Sequence, residues 1–322
     1  MSYRSTTKHG RQASAWLQQP GFIGSIGRFW QRSYAPDYLG YVLLVTAYTL
    51  MGLFIEPFHR MFYLDDRSKS YPHALVERVP PVWLFVYGGG IPLVVILVWT
   101  LVARSGFHQA HVSILGLLIS LALTTFLTDV VKNSVGRPRP DLIARCKPKE
   151  GTPNNTLLTI DVCTEANSHM LQDGWRSFPS GHSSWAFSGL GYLAIFLAGQ
   201  MHIFRPRTDL ARVLIALAPL VGAALIAISR LEDYRHDVFD VSCGSLLGML
   251  VAYFSYRRYY PSVRLANCDQ PYPSRYEFAV QANQNRSKPD EEQGLRSGDR
   301  ASVDDSTDAT ESYPLNDLRS GP

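Results

Sequence analysis

The stretch ARVLIALAPLVGAALIAISRLEDYRHDVFDVSCGSLLGMLVAYFSY, residues 211–256, decides the fold. Two apolar runs, 211–229 and 237–256, are each close to the roughly 20 residues with which a helix crosses a bilayer. Only the short polar turn 230–236 separates them. This pattern predicts two membrane helices joined by a tight turn, so the first question is what the charges of the turn do.

The turn and the helix after it bring together a cation, Arg230, an imidazole, His236, and a carboxylate, Asp240. Residues four apart share one face of a helix, so we expect His236 and Asp240 to lie side by side. A carboxylate that accepts from one ring nitrogen leaves the other nitrogen free as a nucleophile. The alternative is a solvated turn whose charges only flank a membrane helix. The turn alone does not separate the two.

The rest of the chain repeats the apolar pattern. The fourth and sixth apolar stretches are rich in Gly and Ser, which is typical of helices buried inside a membrane bundle, and Gly244 and Gly248 lie one turn apart. The sequence therefore predicts an all-α protein, an integral membrane bundle of six helices with its site at one membrane face. The predicted spans are 38–55, 82–103, 111–131, 184–201, 211–229 and 237–256.

Composition excludes several classes. A net charge of +4 over 322 residues is too mild to indicate nucleic-acid binding. The four cysteines form no CxxC pair, which argues against a zinc site. The first apolar run is long enough to be a retained membrane helix rather than a cleaved signal.

The two ends of the chain are polar. In the N-terminal tail, 1–37, apolar residues alternate with arginines, which predicts a short interfacial helix, with a plain tail as the alternative. The membrane domain is predicted to cover 38–260. The C-terminal tail, 261–322, has few large apolar residues and is predicted to be disordered.

Two further polar clusters lie at span boundaries, KNSVGRPRP at 132–140 and FPSGHS at 178–183. They bound the third loop, 132–183, and the turn 230–236 is the fifth loop. Odd-numbered loops share one face of a bundle, so all three clusters are predicted to meet there.

The first cluster offers fixed cations. Lys132 and Arg139 suit phosphate oxygens, because arginine presents a planar fork and lysine a point charge. Arg137 is a spare cation in the same cluster. The alternative is a basic flank that stops membrane insertion.

The second cluster has Ser180 and Gly181 at the predicted start of a helix, where backbone N–H groups bind anions. His182 follows and is able to exchange a proton. The alternative is a serine cap with an incidental histidine. Together the clusters supply cations, backbone donors, two histidines and one carboxylate, without a paired-carboxylate or His-rich metal shell. That set predicts phosphoryl transfer without a metal or other cofactor, one histidine attacking phosphorus and the other protonating the leaving oxygen.

The three patterns Lys-x6-Arg-Pro, Pro-Ser-Gly-His and Ser-Arg-x5-His-x3-Asp, in this order, resemble the signatures of the type 2 phosphatidic acid phosphatase superfamily. The resemblance covers roughly 38–260. Within the family, FYLDDRSKSYPHALVERVPP and GLGYLAIFLAGQ look most like the fungal diacylglycerol pyrophosphate and phosphatidate phosphatases.

The resemblance implies a role for each motif residue. His236 is the expected nucleophile, which forms a phosphohistidine, and Asp240 orients it. His182 is the expected acid for the leaving group and then the base for water. The motifs give no role to Arg137, Asp141 or Asp237. The residues expected to bind the phosphoryl oxygens are Lys132, Arg139, Ser180, Gly181 and Arg230.

The expected function is therefore an integral membrane lipid phosphate phosphatase that acts on phosphatidate, lysophosphatidate or diacylglycerol pyrophosphate. Its expected partners are membrane lipid phosphates and the bilayer, with no nucleic acid and an open oligomeric state. One alternative is an isoprenoid-diphosphate phosphatase with the same site. Another is a catalytically silent membrane interaction protein, against which the intact motif residues argue.

Orientation is less well defined by the sequence. Lys and Arg number 12 in the segments on the side of the termini and 13 in the loops on the other side, so the count alone does not give the orientation. When the cations with an expected function are discounted, the count favours termini inside. The acceptor pattern 154–156 and the cysteines Cys146 and Cys163 favour a lumenal or extracellular third loop. A second acceptor pattern, 285–287, argues the opposite way. The expected location is an endomembrane (vacuole, ER or Golgi) or the plasma membrane.

Overall fold

The computed structural model describes residues 22–276 and is all-α, without a strand in that part of the chain. The predicted fold class is confirmed. Each of the six predicted spans is a helix. The helices, in chain order, are α1 (Phe22–Arg32), α2 (Ala35–Phe54), α3 (Pro81–Val102), α4 (Gly106–Val135), α5 (Leu142–Cys146), α6 (Ser168–Asp173), α7 (Gly181–Gln200), α8 (Leu210–Glu232) and α9 (Val238–Arg257).

Within residues 22–276, five helices are long and apolar enough to cross a membrane: α2, α3, α4, α8 and α9. The helix of the fourth predicted span, α7, has the length but is not one of the five, so the count of six spans stays a prediction. Its serines and glycines lower its mean hydropathy. Such residues are common in a helix whose neighbours are other helices rather than lipid.

Two predicted boundaries are wrong. The sequence placed Lys132 and Arg230 in loops, whereas α4 continues to Val135 and α8 to Glu232. Apolar patterning ends where charged residues begin, but a helix continues when its charged last turn is buried against other protein groups. Both cations are therefore held on rigid helix ends.

The centre of the bundle is α7, which is buried along most of its length and packs against α4, α8 and α9. The predicted small-residue pair on α9 is confirmed as a contact surface. A Cβ at Gly244 would lie 2.6 Å from the carbonyl oxygen of Ser180, and one at Gly248 would overlap the carbonyl oxygen of Ser184. The backbones of α7 and α9 therefore touch directly.

A similarly close backbone contact joins α3 to α7. Near its N-terminal end α3 contains one π-helical turn, Val86–Gly90, which includes three consecutive glycines. The carbonyl oxygen of Gly88 lies so close to Gly189 of α7 that a side chain at 189 would overlap it. Together these contacts fix the N-terminal half of α7, from which the site is built.

The first and third loops fold together over one end of the bundle around a small apolar core. Phe62 and Leu158 exchange backbone hydrogen bonds, and Trp175 is buried between the loops. A disulfide joins Cys146 to Cys163, a pairing that the sequence had left open. This core holds the segment that carries Arg139.

At the other end of the chain the compact part reaches further than predicted. Residues 261–275 pack on the helices: Gln200 and Gln109 donate to the carbonyl oxygen of Asp269, and Cys268 is buried. The compact part therefore continues to Arg275, 15 residues past the predicted boundary at 260. The sequence did not indicate these contacts, because they use backbone carbonyls rather than an apolar pattern. Residues 277–322 of the expected disordered tail lie outside the described residues.

Most of the predicted N-terminal tail, residues 1–21, also lies outside them. Its last part forms α1, whose exposed apolar residues, Phe22, Ile26, Phe29 and Trp30, follow helical spacing along one side. A helix exists where the sequence predicted one. That it lies on a membrane stays a prediction.

Candidate active site

The three polar clusters meet at the end of the bundle that the first and third loops cover. Lys132, on the last turn of α4, has its Nζ 3.7 Å from the position of a Cβ on Gly181. His182 has Nη1 of Arg230 3.4 Å from its Nε2. The charges of Arg139 and Lys132 act on His236. The structure thus brings the predicted site residues of all three clusters to one place.

The pair at the centre, His236 and Asp240, differs from the prediction in its geometry. His236 precedes α9 rather than lying on it, because Asp237 caps the helix and its side chain accepts from the backbone N–H of Val238. The Nδ1 atom of His236 is 3.8 Å from Oδ2 of Asp240, which is close but beyond hydrogen-bond distance. Nδ1 therefore faces the carboxylate and Nε2 is the nitrogen left for chemistry.

Asp240 is completely buried and is held from several sides. Nη1 of Arg137 donates to its Oδ1 at 2.7 Å. The hydroxyl of Ser177 and the backbone N–H of Asp237 donate to its Oδ2, at 2.5 and 3.0 Å. The sequence gave Arg137 and Asp237 no role, and Ser177 was missed. These residues fix the carboxylate beside His236.

Ser180 and Gly181 begin α7 as predicted. The side chain of Ser180 accepts from the backbone N–H of Ser183, so it acts as the helix cap that the sequence offered as an alternative. The backbone N–H of Ser180 donates to the carbonyl oxygen of Asp240, which ties α7 to α9. The first N–H groups of a helix have no partner within the helix, and those of α7 lie next to Lys132.

The three motif cations are buried, and each is matched by an acceptor. Nη2 of Arg139 donates to Asp173 at 2.8 Å, and Nζ of Lys132 donates to the carbonyl oxygen of Arg176 at 3.0 Å. Arg230, only 1% exposed, donates to Asp233 from Nη2 at 2.8 Å. Asp173 and Asp233 were not found from the sequence, because Asp173 lies outside the motifs and Asp233 is at a variable position of the third.

A further acceptor comes from the first loop. Oε2 of Glu77 is 2.7 Å from Nη1 of Arg230, and its Oε1 is 2.9 Å from Nη2 of Arg235. Oε2 of Glu77 also lies 3.8 Å from Nε2 of His182, whose N–H donates to the carbonyl oxygen of Val79 at 3.1 Å. The first loop therefore supplies two groups that face the second histidine.

Burial is the main cause that sets the protonation state of His236. Burial, with the positive charges of Arg139 and Lys132 adding to it, lowers the pKa of His236 to about 3, although Asp240 opposes this shift. The imidazole is therefore neutral at neutral pH and keeps a lone pair.

Several buried polar atoms at this end have no hydrogen-bond partner in the described part of the chain. Such atoms are rare in folded proteins and are concentrated where ligands bind. Residues 22–276 contain no group of three or more His, Cys, Asp or Glu placed to hold a metal ion. The atoms are Nδ1 of His236, Nε of Arg139, Nε of Arg235, Nη2 of Arg145, Oδ1 of Asp141 and both side-chain polar atoms of Asn133.

An apolar groove runs from the side of the bundle to this site. Its outer part lies between α2 and α4, with Leu44, Val45 and Leu118 in its walls. Its inner end is formed by Lys132 and Gly181. One continuous cavity thus joins lipid-like surroundings to the polar site.

The fold and the site define a helical membrane protein with a buried site of cations and histidines. The profile of the PAP2 superfamily matches residues 113–264, a range that holds every predicted site residue. The chain belongs to this superfamily, which confirms the resemblance seen in the motifs.

Curated relatives agree. "Diacylglycerol pyrophosphate phosphatase 1" of Saccharomyces cerevisiae is 45% identical over 222 residues, 68% of this chain and 75% of that protein. "Probable diacylglycerol pyrophosphate phosphatase 1" of Schizosaccharomyces pombe is 40% identical over 72% of this chain and 84% of that protein. "Lipid phosphate phosphatase 2" of Arabidopsis thaliana is 37% identical over 71% of this chain and 78% of that protein. No solved structure matches the chain.

Proposed function

We propose that this chain is an integral membrane lipid phosphatase that hydrolyses phosphatidate or diacylglycerol pyrophosphate through a phosphohistidine, without a metal. Membership of the PAP2 superfamily and the phosphatases among its relatives support the lipid phosphatase activity. The observation that carries the mechanism is His236, a buried neutral imidazole between the carboxylate of Asp240 and the charges of Lys132 and Arg139.

In the first step, Nε2 of His236 attacks phosphorus. The P–N bond forms as the bond between phosphorus and the leaving oxygen breaks, and His182 gives its proton to that oxygen. Lys132, Arg139 and Arg230, with the N–H groups at Gly181, stabilise the charge on the remaining phosphoryl oxygens. The Nδ1 proton of His236 faces Asp240, which stabilises the positive ring.

In the second step, water attacks the phosphohistidine. His182, now neutral, takes a proton from this water as the new P–O bond forms. The P–N bond breaks, and its electron pair returns to Nε2 of His236. The products are inorganic phosphate and the lipid without its terminal phosphate, and both histidines are back in their starting states.

We also propose that the active end faces an oxidising compartment, either a lumen or the cell exterior. The disulfide between Cys146 and Cys163, in the loop that covers the site, supports this orientation, since such bonds persist in oxidising environments. Asn154 of the acceptor pattern is exposed in the same loop. The apolar groove that ends at Lys132 supports a substrate with apolar chains.

The test is phosphate release by the full chain in detergent, with phosphatidate, diacylglycerol pyrophosphate and a polyprenyl diphosphate as substrates and a metal chelator present. We expect release from a diacyl lipid, and trapping of a ³²P-labelled phosphoenzyme by rapid acid quench. His236→Ala should remove both signals, because it removes the proposed nucleophile. Near-normal release by His236→Ala would disprove the nucleophile, and a requirement for Mg²⁺ would disprove the metal-free mechanism.

A further inference from the structure

The first loop reaches the site through the segment Glu77 to Val79, which lies outside the three motifs. Oε2 of Glu77 lies 2.7 Å from Nη1 of Arg230 and 3.8 Å from Nε2 of His182. The Val79 carbonyl oxygen accepts from that same Nε2. Two acceptors from one short segment therefore flank the histidine that must donate a proton.

The segment is fixed in place. Arg78, between the two acceptors, donates from its backbone N–H and from Nη1 to the buried carboxylate of Asp233, at 3.0 and 2.6 Å. Glu77 also accepts from Arg235 at 2.9 Å. The ring of Tyr71, earlier in the loop, stacks on Tyr234 with centroids 4.5 Å apart. The carboxylate of Glu77 is thus held near His182 by groups of α8 and of the turn after it.

The surroundings of His182 oppose its protonated form. Burial, with the charges of Arg230, His236 and Lys132 adding to it, lowers the pKa of His182. The carboxylate of Glu77, whose Oε2 lies 3.8 Å from Nε2, is the nearby negative charge that acts in the opposite direction. Two nearby cations oppose a proton on His182, whereas a nearby carboxylate favours it. Asp233 is a second acceptor for Arg230 on its other side, and Oε2 of Glu77 faces both Arg230 and His182.

The need for this proton depends on the leaving group. The leaving group of phosphatidate is an alkoxide, a strong base that must be protonated as the bond breaks. The leaving group of diacylglycerol pyrophosphate is a phosphate monoester, which is a weaker base, and that of p-nitrophenyl phosphate is a stabilised phenolate. General-acid catalysis therefore matters most for phosphatidate and least for the nitrophenyl ester.

We propose that Glu77 is a positioning residue for leaving-group protonation, which offsets the cations around His182, favours its protonated form beside Arg230 and so helps the site to expel an alkoxide. This inference rests on the proposed function and adds a determinant of substrate class. The first loop then helps to determine whether the enzyme hydrolyses phosphatidate as well as diphosphate lipids.

The test compares kcat and KM of the full chain in detergent on phosphatidate, diacylglycerol pyrophosphate and p-nitrophenyl phosphate. For Glu77→Gln we expect kcat on phosphatidate to fall about 100-fold or more and kcat on the nitrophenyl ester to fall by less than about 3-fold. Diacylglycerol pyrophosphate should lie between them. Glu77→Asp, which keeps the charge, should recover part of the phosphatidate activity.

The matched control is Glu232→Gln. Glu232 is half exposed and pairs with Arg78 of the same segment, away from His182. We expect this variant to keep wild-type rates on all three substrates. Thermal unfolding in detergent reports whether each variant is folded. If Glu77→Gln does not fold, Glu77→Asp is used alone, and a loss confined to phosphatidate is the expected result.

An equal loss on all three substrates in the Glu77 variants would overturn the inference, because it would indicate a purely structural role. A faster Glu77→Gln enzyme would also overturn it, since Glu77 would then only occupy the place of the phosphate. Both results leave the proposed function intact. Wild-type protein that releases phosphate from none of the substrates would instead overturn the proposed function, and this inference with it.

Discussion

The two ends of the bundle both bury a carboxylate among arginines, yet they use it differently. At the end where the described residues begin, Asp37 of α2 is 4% exposed. One of its oxygens accepts from Arg258 and the other from Arg275. At the other end, Asp240 accepts from Arg137 and Ser177, and His236 stands beside it without a hydrogen bond to its Nδ1.

The two ends differ in how many buried polar atoms have no hydrogen-bond partner. Most of the buried polar atoms that lack a partner in residues 22–276 lie at the end that holds Asp240, and they belong to arginines, His236, Asp141 and Asn133. Near Asp37 the described exceptions are the hydroxyls of Ser255 and Tyr259. A closed set of ion pairs holds segments together, whereas an open set has donors left for an anion. The following three predictions test this distinction.

The largest effect is expected from Asp240→Asn. The amide keeps the shape but loses the charge that faces His236 and Arg137, so we expect kcat on lipid substrate to fall on the order of 1000-fold or more, the loss typical of a misoriented catalytic histidine. The measurement is phosphate release, with thermal unfolding in detergent to show that the variant is folded. Unchanged turnover would mean that the carboxylate is only structural.

Asp37→Asn should give the opposite pattern. Removing the charge of Asp37 leaves Arg258 and Arg275 without their shared acceptor. Because these two arginines are partly exposed and water compensates them in part, we expect the free energy of unfolding to fall by about 1–3 kcal/mol. Turnover per folded molecule should stay within twofold or so of wild type, because the site is at the other end. The checks are a thermal unfolding curve in detergent and kcat normalised to the folded fraction. A large fall in kcat at wild-type stability would show that the two ends are coupled.

The smallest effect on activity is expected from Asn154→Gln, which sharpens the comparison by asking which end faces the lumen. If the active end is lumenal, Asn154 carries a glycan that a glycosidase removes, and the mobility shift disappears in this variant while turnover is kept. The matched control is Asn285→Gln in the other acceptor pattern, which should leave the shift unchanged. A shift lost only with Asn285→Gln would reverse the orientation.

Much of this arrangement could be predicted from the sequence, because short motifs at span boundaries carry it. His182, Arg139 and His236 were found in this way, and the parity of the loops placed them on one face. Glu77 and Asp173 were not found, because their contacts with Arg230 and Arg139 depend on how the first and third loops fold over the bundle. No periodicity or motif marks such residues.

The capping of α9 shows a second limit. A spacing of four indicated a shared helix face for His236 and Asp240, but Asp237 starts the helix between them and turns His236 out of it. Likewise, α7 has a lower mean hydropathy than the lipid-facing helices because it contacts protein on nearly every side. Apolar patterning reports contact with lipid better than it reports the centre of a bundle.

The direct backbone contacts of α7 have a consequence for how this chain is able to change over time. At Gly189 of α7, which lies against Gly88 of α3, and at Gly248 of α9, which lies against Ser184 of α7, the neighbouring carbonyl oxygens leave no room for even a methyl group. Random substitution is therefore blocked at the axis of the bundle, whereas apolar exchange on the exposed outer face of α2 meets no such contact. The chain is free to adapt to membranes of different composition without disturbing the spacing between its phosphate-binding groups.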